Sequence, residues 1–398
     1  MRPTGKGEAH SPRPPERAAG RSQTPDDDAV ATAILLKTEG STFFHLHLQD
    51  QLRVNTYVIN RGMSAKAGKP LVQTDAGAYI AWSGADQPEL ATEGLGCGLL
   101  MLRPLGFALP HYADSNKFGY VLGGSGVAGV LPVAAKERVV RLKAGDVIAV
   151  RTGDVSWWYN DNDGHADDLS ILFIGDTARA LSPGDISYFF LAGGNSVLSG
   201  LDPVLLTRAW PGVTEEQGAT AFRSQPAVLL TRLSTKLAGV CPREDDRTGL
   251  VVNAGHVAAG TLKTVTASDL AGLGGLGFSA VLGRLEPGAA RAPWVLREGA
   301  AQAVYVARGS ARVQVSAAAG GEKLLLDEEV AAGSLFVVPR FAVALVAAGA
   351  DGVEWVSLIK SARPVVEHLT GEGSVFGGLT AQVVQASLNV TPELVKLL

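Results

Sequence analysis

The sequence has few cysteines, little charge and no long apolar run. Its 398 residues include two cysteines, Cys97 and Cys241, without the C-x-x-C spacing of a metal or redox motif. This usage is typical of a reducing compartment and provides no disulfide framework. Charged residues make up 19% and the formal net charge is −4, so we expect no basic surface for nucleic acid or an anionic membrane. No apolar segment is long enough to span a bilayer as a helix. The sequence therefore predicts neither a nucleic-acid partner nor a membrane partner.

The N-terminal region differs from the rest of the chain. Residues 1–28 are rich in Pro, Arg and Asp, which predicts disorder. We predict that 1–62 is an extension outside the fold and that Met63 is the candidate true start. Because no apolar leader segment follows the first residue, we expect a cytoplasmic protein rather than one delivered to a storage vacuole. His45 and His47 form the only His-x-His in the chain, but no carboxylate or glycine turn follows at a metal-site spacing. We interpret this pair as two polar positions on a strand.

The stretch from Leu109 to Asn160 organises the chain. It contains short apolar runs separated by Gly, Pro and Asp, a pattern that predicts antiparallel strands closed into a barrel or jelly roll. Gly145, Asp146, Gly153 and Asn160 follow one another at the offsets of the second motif of the cupin superfamily. The chain therefore resembles that superfamily, and the resemblance implies a double-stranded β-helix.

The resemblance also locates the positions at which metal-binding cupins carry three His and one Glu. His111 stands at the first of these positions, whereas the others fall on Ala113, near Phe118 and on Ser156. One imidazole does not hold a divalent ion, which needs three or four protein ligands. We therefore predict a barrel without metal and a chain without a cofactor.

The second half of the sequence repeats the first. The run from Tyr120 to Ser125 matches Tyr305–Ser310, and the run from Gly145 to Val150 matches Gly333–Val338. In this copy the ligand positions fall on Trp294, near Ala301 and on Ala344, so no metal ligand remains there. The fold class predicted is all-β, with two tandem cupin barrels.

A short helical arm is predicted after each barrel. Asp202-Pro203 and Thr214 carry helix-start signals in the first arm. In the second arm, Thr380 precedes a helix over 381–388 and Thr391-Pro392 begins a final turn. The predicted domains are 63–235 for the first barrel with its arm, 236–249 for a polar linker, and 250–398 for the second barrel with its arm.

Two barrels with helical arms resemble the legumin-type (11S) seed storage globulins and their short glutelin-like relatives in plants. The strongest local matches are Leu109–Tyr112, Trp157–Asn160, Arg208–Trp210, Phe336–Phe341 and the tail from Gly377. The resemblance implies a nutrient reservoir and a homotrimer clasped through the helical arms. The chain departs from the family by having no Asn-Gly cleavage site, and by carrying only 11 Gln and 8 Asn.

Three functions are compatible with these features. The first is a non-enzymatic, storage-like trimer. The second is a small-molecule binder that uses the interior of the first barrel, where strand alternation suggests a pocket lined by His111, Tyr120, Ser156 and Trp158. The third is an enzyme, either a metal oxygenase or a metal-free isomerase. The missing ligands argue against the oxygenase, and His111 has no evident carboxylate partner in the sequence for isomerase chemistry.

Overall fold

The computed structural model describes residues 62–163, 167–317 and 324–397, all within one compact unit that comprises 55–398. The predicted extension 1–62, apart from Gly62, and the pair His45 and His47 lie outside the described residues. None of the helices in the described ranges combines the length and apolarity needed to cross a bilayer.

The described chain is built mainly from β-strands. In the N-terminal half the elements are β1 Lys66–Ala67, β2 Lys69–Thr74, β3 Gly77–Trp82, α1 Pro88–Glu93, β4 Leu95–Leu102, β5 Gly106–Ala113, β6 Asn116–Gly123, β7 Ser125–Leu131, β8 Arg138–Lys143, β9 Asp146–Val150, β10 Val155–Tyr159, β11 Leu169–Asp176, β12 Tyr188–Phe190, α2 Pro203–Arg208, α3 Glu215–Arg223 and β13 Leu230–Arg232.

The C-terminal half repeats this order with longer strands. Its elements are β14 Val251–Asn253, β15 Leu262–Val265, β16 Ser279–Leu285, β17 Ala290–Val295, β18 Gln302–Ser316, β19 Leu324–Ala331, β20 Ser334–Val338, β21 Val343–Ile359, β22 Glu367–His368, α4 Ala381–Leu388 and α5 Pro392–Val395.

Each half forms one antiparallel β-barrel of the jelly-roll type. Barrel 1 consists of a sheet in the order β12-β5-β10-β7-β8 facing a sheet in the order β14-β9-β6-β11-β4-β3-β2. Barrel 2 is a single nine-stranded sheet in which β18 and β21 bend through both layers. The repeat extends to register, because Lys117 pairs with Val150 in barrel 1 as Gln302 pairs with Val338 in barrel 2. The predicted all-β fold of two tandem cupin barrels is confirmed.

Two of the predicted helix-start signals, Asp202 and Thr214, make capping hydrogen bonds. The Asp202 carboxylate accepts hydrogen bonds from the amides of Val204 and Leu205 at 2.9 and 3.0 Å, so it caps α2. Thr214 and Gln217 form a reciprocal capping box at the start of α3. Thr380 and Thr391 stand at the N-caps of α4 and α5, although neither side chain makes a capping hydrogen bond.

Two short strands pair with the barrel of the other half. Strand β1 pairs with β20, with Lys66 opposite Leu335, so the start of the N-terminal half belongs to the sheet of barrel 2. Strand β14 pairs with β9, with Val251 opposite Ile148, so the start of the C-terminal half belongs to barrel 1. Each barrel thus receives a strand from the segment that leads into the other. The sequence missed this exchange because a strand of two or three residues carries no periodicity that identifies its partner.

The two barrels share an apolar core. The outward faces of β4, β6, β9 and β11 pack against the outward faces of β16 and β18 in one cluster of buried side chains. Phe118 and Phe278 meet across this seam, with their ring centroids 6.4 Å apart. The interior of barrel 1 forms a separate cluster. Strand alternation therefore sends one face of β6 into barrel 1 and the other face into the seam.

Candidate functional site

The candidate site is the interior of barrel 1, at the position that the cupin resemblance assigns to a metal. Strand β5 places His111 there, and Ser156 of β10 lies directly opposite it in the sheet. Both side chains are buried, His111 at 5% and Ser156 at 1% exposure. The Ser156 hydroxyl has no hydrogen-bond partner among the described residues.

Lys117, which the sequence analysis did not select, is the charged group of this interior. Its side chain is 1% exposed, and its ammonium lies 5.4 Å from the centroid of the Tyr188 ring. Burial lowers the pKa of Lys117 to about 8, and the nearby carboxylates of Asp114 and Asp154 oppose that shift. The interior therefore carries a cation where metal-binding relatives carry a carboxylate.

His111 is held as a neutral imidazole. Its Nδ1 donates to the carbonyl oxygen of Leu109 at 2.8 Å, because a carbonyl can only accept. Burial, opposed by the hydrogen bond to Leu109 and reinforced by the charge of Lys117, lowers the pKa of His111 to about 4.

Aromatic side chains close the mouth of barrel 1. Strand β12 pairs along β5, with Tyr188 opposite Ala113 and Phe190 opposite His111. Their rings meet the His111 ring at centroid distances of 5.2 and 5.7 Å. The Tyr188 hydroxyl lies 2.5 Å from the Tyr79 hydroxyl, and burial raises the pKa of both phenols. Tyr188 thus fills the space beside the alanine that replaces the second histidine.

The cavity that remains is small. It measures about 10 Å³, which leaves room for at most about one water molecule, and is lined by Tyr79, Leu100, Ala108, His111, Trp158, Phe173, Tyr188 and Leu229. Trp158 occupies much of the interior and meets Phe173 edge-on, with ring centroids 5.0 Å apart. The interior of barrel 1 is a packed core with a polar edge.

The structure brings three of the four predicted pocket residues together. His111, Ser156 and Trp158 face the interior of barrel 1. Tyr120 does not, because it lies on the other face of β6, at the seam with barrel 2. The expectation that Tyr120 points inward is wrong by one step of strand alternation, since Lys117, Gly119 and Val121 form the inward row.

The inward-facing residue at the expected Glu position also differs by one from the prediction. Phe118 faces the seam and Lys117 faces inward. In barrel 2, the predicted Ala301 packs in the shared cluster and the next residue, Gln302, stands in the register of Lys117. Gly124 forms the turn directly after β6, the strand that carries Lys117. The spacing from Lys117 to this motif glycine is a signal that could have identified Lys117.

The equivalent position in barrel 2 is filled by a hydrogen-bonded chain. Trp294, in the place of His111, donates from Nε1 to Gln302 at 3.3 Å. Gln302 donates to Ser357 at 2.9 Å, and Ser357 donates to the carbonyl oxygen of Val281 at 3.0 Å. The remaining cavity also measures about 10 Å³. These neutral partners satisfy one another without any bound group.

The residues at these positions do not fit a divalent metal. Barrel 1 offers one imidazole, an alanine, an ammonium and a hydroxyl, and barrel 2 offers an indole and an amide. An ammonium repels a cation, and neither an alanine nor an indole supplies a ligand. Within 62–163, 167–317 and 324–397, no group of three His, Cys, Asp or Glu side chains is arranged to hold a metal ion.

The fold and both motif positions identify the class. Residues 64–216 and 254–396 match the Cupin family, and together these ranges cover most of the chain. The protein belongs to the cupin family and carries two copies of its barrel.

The chain is similar in sequence to seed storage globulins of plants. The chain is 23% identical to the 11S globulin seed storage protein 2 of Sesamum indicum, over 81% of this chain and 85% of the relative. It is also 23% identical to the 12S seed storage protein CRD of Arabidopsis thaliana, over 80% of this chain and 84% of the relative.

Solved seed globulin structures share the architecture. The pumpkin seed globulin superposes with a TM-score of 0.76 at 21% identity, covering 84% of this chain and 95% of that one. The coconut allergen cocosin superposes with a TM-score of 0.75 at 23% identity, covering 85% and 96%. At these identities the likeness establishes the two-barrel fold.

Proposed function

We propose that this protein is a non-enzymatic storage-type bicupin with a nutrient reservoir role. The observation that carries the proposal is the filling of both ligand positions by side chains that bind no metal, in a chain whose likeness to seed globulins spans both barrels. The test is to follow the protein in its source tissue by quantitative mass spectrometry. A reserve accumulates during deposition and is degraded during mobilisation, whereas a constant low abundance would contradict the role.

The packed interiors also support the absence of an enzyme site. A cavity of about 10 Å³ admits no organic substrate, and the depressed pKa of His111 makes it a weak base at neutral pH. The same volume disfavours the interior of barrel 1 as a small-molecule pocket, since such sites typically measure about 300–1,000 Å³.

We further infer that the helical arms join three copies of the chain. In the second arm Val384 is buried, whereas Val383, Leu388 and Leu394 are 48%, 40% and 45% exposed. The first arm exposes Val204 and Leu205 in the same way. Apolar side chains grouped on short helices at the ends of both halves suit an interface with a second copy.

Charged substitutions in the arm test this assembly. We expect Val383→Asp with Leu388→Asp to convert the trimer into monomers, measured by light scattering after size-exclusion chromatography. Leu181→Asp is the matched control, because Leu181 is 77% exposed in a loop outside the arms. A wild-type protein that is already monomeric, or a variant that stays trimeric, would contradict the role of the arms.

The compartment we propose is the cytoplasm. Cys97 is buried and Cys241 is exposed, and neither forms a disulfide in the described chain, as suits a reducing environment. Fractionation of the source tissue with an antibody tests this placement. Recovery in storage vacuoles would overturn it and leave the reservoir role intact.

A further inference from the structure

A cavity much larger than either barrel interior lies at the seam between the barrels. Its volume is about 440 Å³, within the range of about 300–1,000 Å³ that small-molecule sites occupy. Barrel 1 contributes Tyr120, Leu122 and the turn at Gly145, and the segment after β14 contributes His256. Barrel 2 contributes the neighbouring strands β16, β18 and β21. We call this cavity the seam cleft.

The floor of the seam cleft is apolar. Leu282 and Val356 lie opposite each other on β16 and β21, and both are buried in the shared core. Leu122 packs against the same cluster from barrel 1. Tyr120 adds an aromatic wall, and burial, followed by the charge of Glu354, raises the pKa of its phenol. The cleft can therefore take the apolar body of a ligand.

The rim carries a row of charged side chains of both signs. Glu354 on β21 pairs in register with Arg284 on β16 and with Arg308 on β18. Its carboxylate lies 3.8 Å from Nε of Arg284. Glu354 thus lies between two guanidinium groups, and Glu286 pairs with Arg284 from outside the cleft, so Arg308 is the arginine of the cleft that forms no ion pair with the described residues.

The two arginines differ in how they are held. Arg284 donates to Nε2 of His256 at 3.1 Å and contacts Glu286 outside the cleft at 3.3 Å. These contacts hold the Arg284 guanidinium in one orientation. Because a guanidinium has no acceptor, Nε2 of His256 must accept, which leaves Nδ1 of that ring as a donor. Arg308 is exposed and makes no side-chain hydrogen bond or ion pair with the described residues.

We propose that the seam cleft binds a small organic acid. The carboxylate of the ligand pairs with the guanidinium of Arg308, and its apolar body rests on Leu282, Val356 and Tyr120. An arginine fork matches a carboxylate in shape and charge, and the apolar floor disfavours a bare inorganic anion. The site is distinct from the barrel interiors, and it neither requires nor excludes a reservoir role.

The test uses the full-length protein and three probes in ligand-observed NMR titrations. Benzoate carries both features, benzamide removes the charge, and inorganic phosphate removes the apolar body. We expect saturable benzoate binding in the millimolar range, as befits so small a ligand. Binding of benzamide and phosphate should be weaker by about tenfold.

Variants locate the site. Arg308→Gln should weaken benzoate binding about tenfold, because a charged hydrogen bond is lost, and Arg308→Lys should retain part of the affinity. Arg363→Gln is the matched control, since Arg363 is exposed outside the cleft. Unchanged thermal unfolding would show that the variants are folded. Absence of saturable benzoate binding, equal binding of benzamide, or unaltered affinity in Arg308→Gln would overturn the proposal.

Discussion

Lys117 carries a positive charge into an apolar barrel, where the face of the Tyr188 ring and the carboxylates of Asp114 and Asp154 favour it. Its pKa falls from 10.5 to about 8, which corresponds to a cost of ~3 kcal/mol for the protonated form at ~1.36 kcal/mol per pKa unit. Below pH 8 the lysine is protonated in both the folded and the unfolded chain, so the whole cost is present. Between pH 8 and 10.5 the folded protein loses the proton first, so the cost disappears as the pH rises.

Replacement of this lysine should stabilise the protein. We expect Lys117→Met to raise the free energy of unfolding at pH 7 by ~1–3 kcal/mol, since part of the gain is offset by the lost contact with Tyr188. The difference from wild type should shrink towards zero as the pH approaches 10. Urea unfolding at several pH values measures both effects.

Lys143→Met is the control for this experiment, because Lys143 is exposed on β8. Its effect should stay within ~0.5 kcal/mol at every pH. A lower free energy of unfolding in Lys117→Met at pH 7 would contradict the conclusion that the buried charge of Lys117 destabilises the fold.

At the scale of elements, a buried ion pair fixes the segment that joins the barrels. The Asp146 side chain at the start of β9 is fully buried and binds Arg247 through both oxygens, at 3.0 and 3.2 Å. Asn253 of β14 donates to the same carboxylate at 2.9 Å. The Gly-Asp of the cupin motif therefore anchors the polar linker to barrel 1, which a motif of two residues could not reveal.

Breaking this pair should be costly because it leaves a buried charge. We expect Arg247→Met to lower the free energy of unfolding by ~3 kcal/mol or more, and the double variant with Asp146→Asn to recover part of that loss. Arg312→Met is the matched control. Arg312 pairs with Asp327 in the same two-bonded geometry, at 2.9 and 3.0 Å, but 63% of its side chain is exposed.

The exposed control pair should contribute at most about 1 kcal/mol. Denaturant unfolding of the four proteins measures these differences. If the Arg247 and Arg312 variants lose equal stability, burial of the first pair has no energetic consequence and the anchoring role is wrong.

At the scale of the whole molecule, the barrels share one core and exchange strands, so they should unfold together. Phe278 lies in barrel 2, is 1% exposed, and contacts Phe118 of barrel 1. We expect Phe278→Ala to cost ~3–5 kcal/mol and to lower one calorimetric transition that still includes both barrels. Hydrogen exchange should accelerate in β11 and β16 alike.

Phe173→Ala provides the comparison, because Phe173 is 3% exposed inside barrel 1 and distant from the seam. It should shift the same single transition if the barrels are coupled. Two separate transitions in either variant would show that each barrel folds on its own.

The two barrels, their order and the starts of the helical arms could be predicted from the amino-acid sequence. Short apolar runs between glycine turns recur in the second half of the chain, and Asp202 and Thr214 form capping contacts with residues only two or three positions away. These features depend on local contacts or on repetition, so they can be read along the chain. The loss of metal ligands at Ala113 and Ala344 was equally visible.

The side chains that fill the ligand positions, and the place of the large cavity, depend on how the sheets pack in three dimensions. Lys117 and Phe118 are neighbours in the sequence, but Lys117 points into barrel 1 and Phe118 into the seam. The seam cleft joins Tyr120 to Arg284 and Arg308, which are more than 150 residues further along the chain. Such pairings arise because packing two sheets brings distant faces together, and no local pattern encodes which faces will meet.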